Sequence, residues 1–314
     1  MKRLGITMAF SEQSIIDHLL RAAARGPAVE VGIGHDAAVV RSPSGDRLVL
    51  KSDQTIEGIH FARAEQGFDL VGRKALARVL SDLGAVGARP VACLCSLALP
   101  DGVTEAEVRA LFDGMLALAQ RDGVSLVGGD LSRTHGGIAL DVSALGFLEG
   151  RRALLRDGAR PGDVLAVTGP LGGSREGWHL RFEPRWREGI ALAESGAVHA
   201  SIDLSDGLAR DLRQVCGASR VGARVELSAL PLRPLAGGRT ATVAQALGDG
   251  EDFELLVAIA PDRFEALARS PALASVALAR IGVITEAERG VKGADAAGNV
   301  TDLPSGGYEH RFGA

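Results

Sequence analysis

The sequence predicts an α/β protein of two domains, and three observations lead to this prediction. The chain has 314 residues, which is more than usually fold around a single hydrophobic core. Short apolar runs of strand length alternate with longer segments whose apolar residues recur at helical spacing. Hydrophobic residues make up 46% and charged residues 24% of the chain, as in ordinary globular proteins. We predict one domain over residues 1–150 and a second over residues 151–314.

In the first domain, caps and turn residues mark where the elements begin and end. Ser11 can cap the first helix, and Thr104 with Glu107 forms a capping box. A tight turn at residues 135–137 is compatible with antiparallel pairing of the strands on either side. The predicted elements are a helix from Ser11 that ends at Gly26-Pro27, a hairpin over 28–53, a helix over 69–88, a strand over 91–100, a helix over 104–120, and strands within 124–130 and 138–150.

The second domain shows the same alternation of strands and helices. It opens with a strand that runs into a glycine-rich loop, VTGPLGGS at residues 167–174. A second strand continues directly into a helix that we expect to begin at Gly207-Leu208. The segments that carry these elements are residues 158–173, 201–216, 223–230, 248–260 and 276–285.

Composition excludes several classes of protein. Lysine and arginine total 35 against 39 acidic residues, and no basic run is present, so nucleic acid is not an expected partner. Three cysteines form no disulfide framework, and we expect Cys93 and Cys95 to be reduced core residues on one face of a strand. No leader and no apolar stretch near eighteen residues is visible. We therefore predict a cytoplasmic protein without a membrane partner.

Aspartates recur where strand-like runs meet loops. Any one of them is typically a turn former or a helix cap, but clustered carboxylates usually surround a hard cation such as Mg²⁺. Two simpler interpretations stay open: Asp82 could form an exposed ion pair with Arg78, and Ser205 or Asp206 could cap a helix. The aspartates concerned are Asp36, Asp53, Asp82, Asp130, Asp203 and Asp206.

Common nucleotide-binding motifs are absent from the sequence. The glycines of residues 32–34 are followed by a strand and a turn, whereas a dinucleotide fingerprint requires a helix. Residues 167–174 lack the lysine and hydroxyl residue of a P-loop, and no kinase catalytic loop or nucleophile elbow is found. The residues alone therefore predict a magnesium-dependent phosphate enzyme outside the common nucleotide folds.

Nine segments in chain order resemble the motifs of the thiamine-monophosphate kinase family, within the superfamily of aminoimidazole ribonucleotide synthetase. The segments are GIGHDAAV, SDQTIEGIHF, RKALARVLSDLGAVGARP, LVGGDLSR, LLRDGARPGD, HLRFEPR, SIDLSDGL, GDGEDFELL and GYEH. The resemblance implies a two-domain fold whose N-terminal domain forms a β-barrel with its copy in a homodimer. It also implies phosphorylation of thiamine monophosphate to the diphosphate by ATP and several Mg²⁺ ions, with direct in-line transfer.

The resemblance also assigns roles residue by residue. No catalytic residue is expected, because the acceptor phosphate is mostly dianionic at neutral pH and needs no general base. The implied metal ligands are Asp36, Ser52, Asp53, Asp82, Asp130, Asp203 and Asp206. The implied ATP contacts are Gly129, Asp130, Arg156 and Ser205, and the implied contacts to thiamine phosphate are His60, Glu251 and Tyr308.

The chain departs from the family pattern in the metal-binding loops. His35, Lys51 and Gln54 replace an aspartate, a small hydroxyl residue and a threonine, and residues 174–201 form a shorter segment than is usual. Lys51 could contact phosphate or repel magnesium. Two alternatives therefore stay open: another ATP-using member of the superfamily, or a degenerate nucleotide-binding dimer without catalysis.

Overall fold

The computed structural model describes residues 10–308 and 311–312 of the chain. The first half contains a six-stranded sheet covered on one face by two long helices. Its elements are β1 (Phe10–Ser11), α1 (Glu12–Ala22), β2 (Val29–Val31), β3 (Ala38–Arg41), β4 (Arg47–Ile56), α2 (Phe68–Val86), β5 (Arg89–Leu99), α3 (Glu105–Asp122), β6 (Ser125–Arg133) and β7 (Ala139–Phe147).

The helix boundaries follow the capping residues of the sequence. Ser11 caps α1 by accepting a hydrogen bond from the backbone N–H of Ser14. The capping box of Thr104 and Glu107 is complete at the start of α3. Helix α2 ends at Gly87, whose left-handed φ of 76° suits glycine. The three helices predicted for the first half are therefore confirmed, although α1 ends at Ala22 and not at the predicted Gly26-Pro27.

The strand order of the first sheet is β2-β3-β4-β7-β5-β6. Strands β5 and β6 are parallel because α3 crosses over between them, which leaves β6 at the edge of the sheet. Strand β7 returns antiparallel between β4 and β5. The expected pairing across the turn at residues 135–137 is therefore wrong, since β5 lies between β6 and β7. In the described residues of one chain the sheet is open, and a barrel shared with a second copy stays a prediction.

Alternation along the strands gives this sheet one buried and one exposed face. Cys93 and Cys95 point into the core, as predicted, and their thiols are free. Leu50 and Leu94 lie on the opposite face, where each is more than two-fifths exposed. The edge strand β6 also exposes Val127.

The second half is built on a seven-stranded mixed sheet of order β14-β13-β10-β12-β8-β11-β9. Its elements are β8 (Val164–Val167), α4 (Trp178–Arg181), α5 (Trp186–Ser195), β9 (Val198–Asp203), α6 (Leu208–Ser219), β10 (Gly222–Glu226), α7 (Val243–Gly248), β11 (Leu255–Ile259), α8 (Phe264–Ala268), β12 (Ala279–Thr285), β13 (Val291–Ala294), β14 (Val300–Asp302) and β15 (Arg311–Phe312). The predicted two-domain α/β fold is confirmed, while the boundary near residue 150 stays a prediction.

Helix α2 connects the two halves. It packs against α3 and β4 of the first half and against α5 and β9 of the second half. Gly84 allows this close packing, because a Cβ there would lie 2.9 Å from the backbone of Trp186. The charged face of α2 is thereby held between β4 and the end of β9. Among the described residues, no helix has the length and apolarity that a membrane span requires.

Candidate active site

Two adjoining cavities lie where the halves meet. The first has a volume of about 800 Å³ and is lined by most of the aspartates singled out in the sequence; we call it the acidic cavity. The second, of about 470 Å³, is lined by His60 and His179, and we call it the histidine cavity. Ser205, Asp206 and Arg78 line both. A ligand group in one cavity can therefore reach a group in the other.

Three buried carboxylates form the centre of the acidic cavity. Asp36 comes from the loop before β3, Asp82 from α2 and Asp203 from the end of β9, and their ligand oxygens lie within 4.8 Å of one another. Burial and the charge of Asp36 raise the pKa of Asp203 to about 6. Burial also raises the pKa of Asp82. An all-oxygen donor set of this kind fits a hard divalent cation such as Mg²⁺.

Helix α2 and strand β4 each contribute one cation and one carboxylate, and each cation pairs with the carboxylate of the other element. Arg78 donates to both oxygens of Asp53 at 3.0 Å, and Lys51 Nζ lies 2.7 Å from Asp82 Oδ1. The exposed Arg78–Asp82 pair considered from the sequence is therefore wrong. The reason is that β4 directs residues 51 and 53 onto the same face of α2 that carries residues 78 and 82.

Arg156 and His35 close one side of the acidic cavity. Arg156 Nη2 donates to Asp36 Oδ1 at 2.6 Å, and its backbone N–H donates to His35 Nδ1 at 3.3 Å. Burial lowers the pKa of His35, which favours its neutral, accepting form. His35 therefore holds the backbone of Arg156 in place at the edge of the cavity.

The loop between β9 and α6 forms the wall shared by the two cavities. Helix α6 begins after Gly207 without a side-chain cap, so the expected capping by Ser205 or Asp206 is wrong. Asp211, inside the first turn, instead accepts hydrogen bonds from the backbone N–H groups of Asp206 and Gly207. Asp206 is also 3.1 Å from Arg210. Ser205 and Asp206 line both cavities.

Asp130 lies away from the carboxylate cluster of its own chain. It and Gly129 are exposed on the edge strand β6, and neither is among the described residues that line the two cavities. The register places Asp130 beside Ser96, then Asp141, then Gln54. Three strand spacings, about 14 Å, therefore separate Asp130 from β4. Ser52, in contrast, lines the acidic cavity and donates to Asp141 at 2.6 Å.

The histidine cavity contains the three residues expected to contact thiamine phosphate, His60, Glu251 and Tyr308. Although burial alone would raise it, the pKa of Glu251 is lowered to about 2 by His179, Lys74 and the positive charges around it. Burial lowers the pKa of His60 to about 4. At neutral pH Glu251 is therefore ionised and His60 is neutral. Glu309 and His310 of the GYEH motif lie outside the described residues.

Glu251 is held by both its backbone and its side chain. Its φ of 55° is a left-handed conformation that a non-glycine residue adopts only at some cost. Its N–H donates to the carbonyl of Ser205 at 2.8 Å, which ties it to the wall between the cavities. Lys74 Nζ lies 2.7 Å from Glu251 Oε1 and Arg78 Nη1 lies 3.6 Å away.

Sequence reasoning missed Lys74, Arg78 and His179 as members of the site. Lys74 is fully buried, and its ammonium donates to the carbonyl of His60 at 2.7 Å and contacts His179 Nδ1 at 2.9 Å. Burial lowers the pKa of Lys74 to about 8. A signal was present, because residues 74, 78 and 82 form a charged stripe at i, i+4 and i+8 in a helix that is otherwise mostly apolar. Such a stripe indicates charges directed into the protein.

Comparison with known proteins places the chain in a family. The model of the AIR synthase related protein N-terminal domain matches residues 34–148, and that of the C-terminal domain matches residues 121–293. A protein of Rhodopirellula baltica named thiamine-monophosphate kinase is 42% identical over 264 residues, which cover 80% of this chain and 83% of that protein. The chain belongs to the thiamine-monophosphate kinase family. The predicted resemblance and the predicted kinase class are thereby confirmed.

Solved structures of this family share the fold. The structure of AaThiL complexed with AMPPCP and TMP matches with a TM-score of 0.81 and 28% identity, covering 96% of this chain and 97% of that one. Thiamine-monophosphate kinase from Stenotrophomonas maltophilia K279a matches with a TM-score of 0.70 and 33% identity, covering 91% and 97%. Both halves of the chain are therefore arranged as in the family.

Proposed function

We propose that this member of the thiamine-monophosphate kinase family transfers the γ-phosphoryl group of ATP to thiamine monophosphate and so forms thiamine diphosphate. The observation that carries this proposal is the junction of the acidic and histidine cavities at Ser205 and Asp206. A triphosphate in the first cavity and a phosphate monoester in the second would meet there. A related protein that binds both AMPPCP and TMP supports this assignment.

ATP binds, in this proposal, in the acidic cavity. Arg156 and Ser205 contact the nucleotide, and the carboxylates hold several Mg²⁺ ions. When bound, these ions neutralise phosphate oxygens and the charge that spreads over the transferring group. The proposed ligands are Asp36, Ser52, Asp53, Asp82, Asp203 and Asp206, all of which line the cavity.

Thiamine monophosphate binds in the histidine cavity. Its thiazolium ring carries a positive charge, and Glu251, which is ionised at neutral pH, supplies an opposite charge in a half-buried site. His60 is neutral and adds no competing cation. Tyr308 lines the same cavity and presents an aromatic surface.

Transfer is direct and in line, without a phosphoenzyme. The acceptor phosphate is mostly dianionic above pH 6 and is itself the nucleophile, so no general base is required. The protein's contribution is alignment: the loop of Ser205 and Asp206 fixes the point at which donor and acceptor meet. Glu251 contacts the acceptor and is tied to the same loop, because its backbone N–H donates to the carbonyl of Ser205.

The functional unit in this proposal is a homodimer formed through the first sheet. Among the described residues of one chain, edge strand β6 pairs with a strand on one side only. It exposes Val127 and Leu131 to more than three-fifths of their surface. Exposed apolar edge strands favour pairing with another strand. A second copy of the chain would cover this edge and bring the exposed Asp130 toward a neighbouring acidic cavity.

A transfer assay tests the proposal. Purified protein is incubated with ATP, Mg²⁺ and thiamine monophosphate, and thiamine diphosphate is followed by chromatography with a magnesium-free control. We expect magnesium-dependent product, and we expect Glu251→Ala to raise KM for thiamine monophosphate more than KM for ATP. ATP binding without product would instead support a non-catalytic dimer, and ATP turnover without thiamine diphosphate would support another acceptor.

A further inference from the structure

Lys51 is the cation that pairs with Asp82 in the buried carboxylate cluster. Its Nζ lies 2.7 Å from Asp82 Oδ1, and the two side chains are 24% and 9% exposed, so water screens the pair weakly. Asp36 has a different cationic partner, Arg156, at 2.6 Å. Within the described chain, the cluster thus already contains an ammonium at the carboxylate contributed by α2.

The backbone around Lys51 fixes this ammonium in place. Lys51 lies in the middle of β4, opposite Ala144 of β7, and its side chain points to the same face as Asp53. The side chain therefore places its ammonium against Asp82 on the inner face of the strand.

A buried carboxylate oxygen that accepts a hydrogen bond from an ammonium is a poorer ligand for a divalent ion, because the two cations repel each other. The nitrogen lies about 2.8 Å from its acceptor, and Mg²⁺ requires about 2.1 Å. Both on one oxygen would lie only a few ångströms apart in a weakly screened site and would repel each other strongly. Occupation of Asp82 Oδ1 by Lys51 therefore reduces the room for metal in the cluster.

We propose that the Lys51 ammonium is a built-in cation of the acidic cavity and takes the place of one divalent ion at Asp82 Oδ1, while the second oxygen of Asp82 remains available as a metal ligand. The inference rests on the proposed function only in assuming that divalent ions bind with ATP in this cavity. The chain then needs fewer metal ions than its carboxylates could hold. It also keeps the cluster partly neutralised when no metal is bound.

Counting bound Mn²⁺ tests this assignment without any turnover. Equilibrium dialysis and electron paramagnetic resonance give the number of Mn²⁺ ions per chain in the presence of a non-hydrolysable ATP analogue. We expect Lys51→Thr to bind about one more ion per chain than the wild type, and Lys51→Arg to bind the same number as the wild type. Lys292→Thr, which removes the exposed lysine paired with Asp302, is the matched control. Equal counts in Lys51→Thr and the wild type would overturn the proposal.

A second measurement covers the case in which Lys51→Thr does not fold without metal. The double variant Lys51→Thr with Asp82→Asn removes both charges of the pair. We expect this variant to regain a cooperative thermal transition, and failure to regain it would show that Lys51 acts through packing and would overturn the proposal. Because no thiamine monophosphate is present, a different acceptor specificity leaves both results unchanged.

Discussion

Lys74 carries its charge in the interior of the protein, where three polar groups surround it. Its ammonium lies 2.7 Å from Glu251, 2.7 Å from the carbonyl of His60 and 2.9 Å from His179. These contacts compensate for the removal of the ammonium from water. They also join α2, the loop of His60 and the loop of Glu251 at one point. Lys74 is therefore a positioning residue for the histidine cavity.

Lys74→Met is expected to weaken both folding and acceptor binding. The substitution keeps the length of the side chain but leaves Glu251 with less compensation, which costs about 3 kcal/mol in the free energy of unfolding. We expect KM for thiamine monophosphate to rise about tenfold and KM for ATP to change little. Urea denaturation and steady-state kinetics measure these effects, with Lys292→Met as the exposed control. An equal rise in both KM values would contradict the positioning role.

Ionised Glu251 stabilises the folded protein, and this contribution depends on pH. Its pKa is lowered from 4.5 to about 2 in the folded protein, so the unfolded chain binds its proton first as the pH falls. The stabilisation is complete above pH 4.5 and is lost as the pH drops toward 2. The shift corresponds to about 3 kcal/mol at pH 7. We expect the stability difference between the wild type and Glu251→Gln, measured by denaturation, to shrink by about half at pH 3. A difference that does not vary with pH would contradict this assignment.

Residue types at the site could be predicted, but their partners could not. The aspartates were predictable because each follows a strand or lies in a motif, as Asp36 and Asp203 do. The partner of Arg78 was not, because Asp82 on the same helix and Asp53 on a strand are equally plausible in sequence. Packing of β4 on α2 decides between them, and that packing is a property of the tertiary fold.

At the scale of elements, α2 determines how the rest of the site is arranged. It approaches α3 so closely that a Cβ at Gly72 would lie 1.8 Å from the carbonyl oxygen of Leu111. This contact is between backbones, which cannot move aside as a flexible side chain does. The close packing of α2 on α3 also holds the charged face of α2 against β4.

Gly72→Ala is expected to destabilise the protein by about 3 kcal/mol, because α2 and α3 must separate to admit the methyl group. Gly217→Ala is the matched control, since Gly217 lies within α6 and a Cβ there meets nothing within 4 Å. We expect this control to stabilise the protein by about 0.5–1 kcal/mol. Thermal and urea denaturation of both variants check the contrast. Similar effects of the two substitutions would be inconsistent with the close packing of α2 on α3.

Local signals predicted the elements well and their neighbours less well. Caps such as Thr104 marked helix starts, and apolar runs marked strands, because these features act within a few residues. The pairing of β6 depended instead on the crossover through α3, which places it beside β5. A turn at residues 135–137 indicates that the chain reverses direction, but it does not determine which strands pair with each other.

At the scale of the whole molecule, the acidic cavity of one chain contains the proposed metal ligands except Asp130. The sheet register leaves Asp130 about 14 Å from β4, on an exposed edge strand. Folding alone does not bring it to the acidic cavity of its own chain. If the homodimer forms through β6, Asp130 acts on the cavity of the neighbouring chain, so each active site is built from two copies.

A complementation experiment tests this shared site. Asp130→Asn and Asp82→Asn are each expected to lose turnover, because each removes a charged ligand with little change in side-chain size. In a mixed dimer, one site then contains both intact residues and the other contains neither. Random assortment makes half of the dimers mixed, so co-refolded chains should recover about a quarter of wild-type activity. If Asp130 acted within its own chain, every site would lack one ligand and the mixture would stay inactive. Size-exclusion chromatography with light scattering confirms that both variants remain dimeric, so that recovered activity reports on the site and not on assembly.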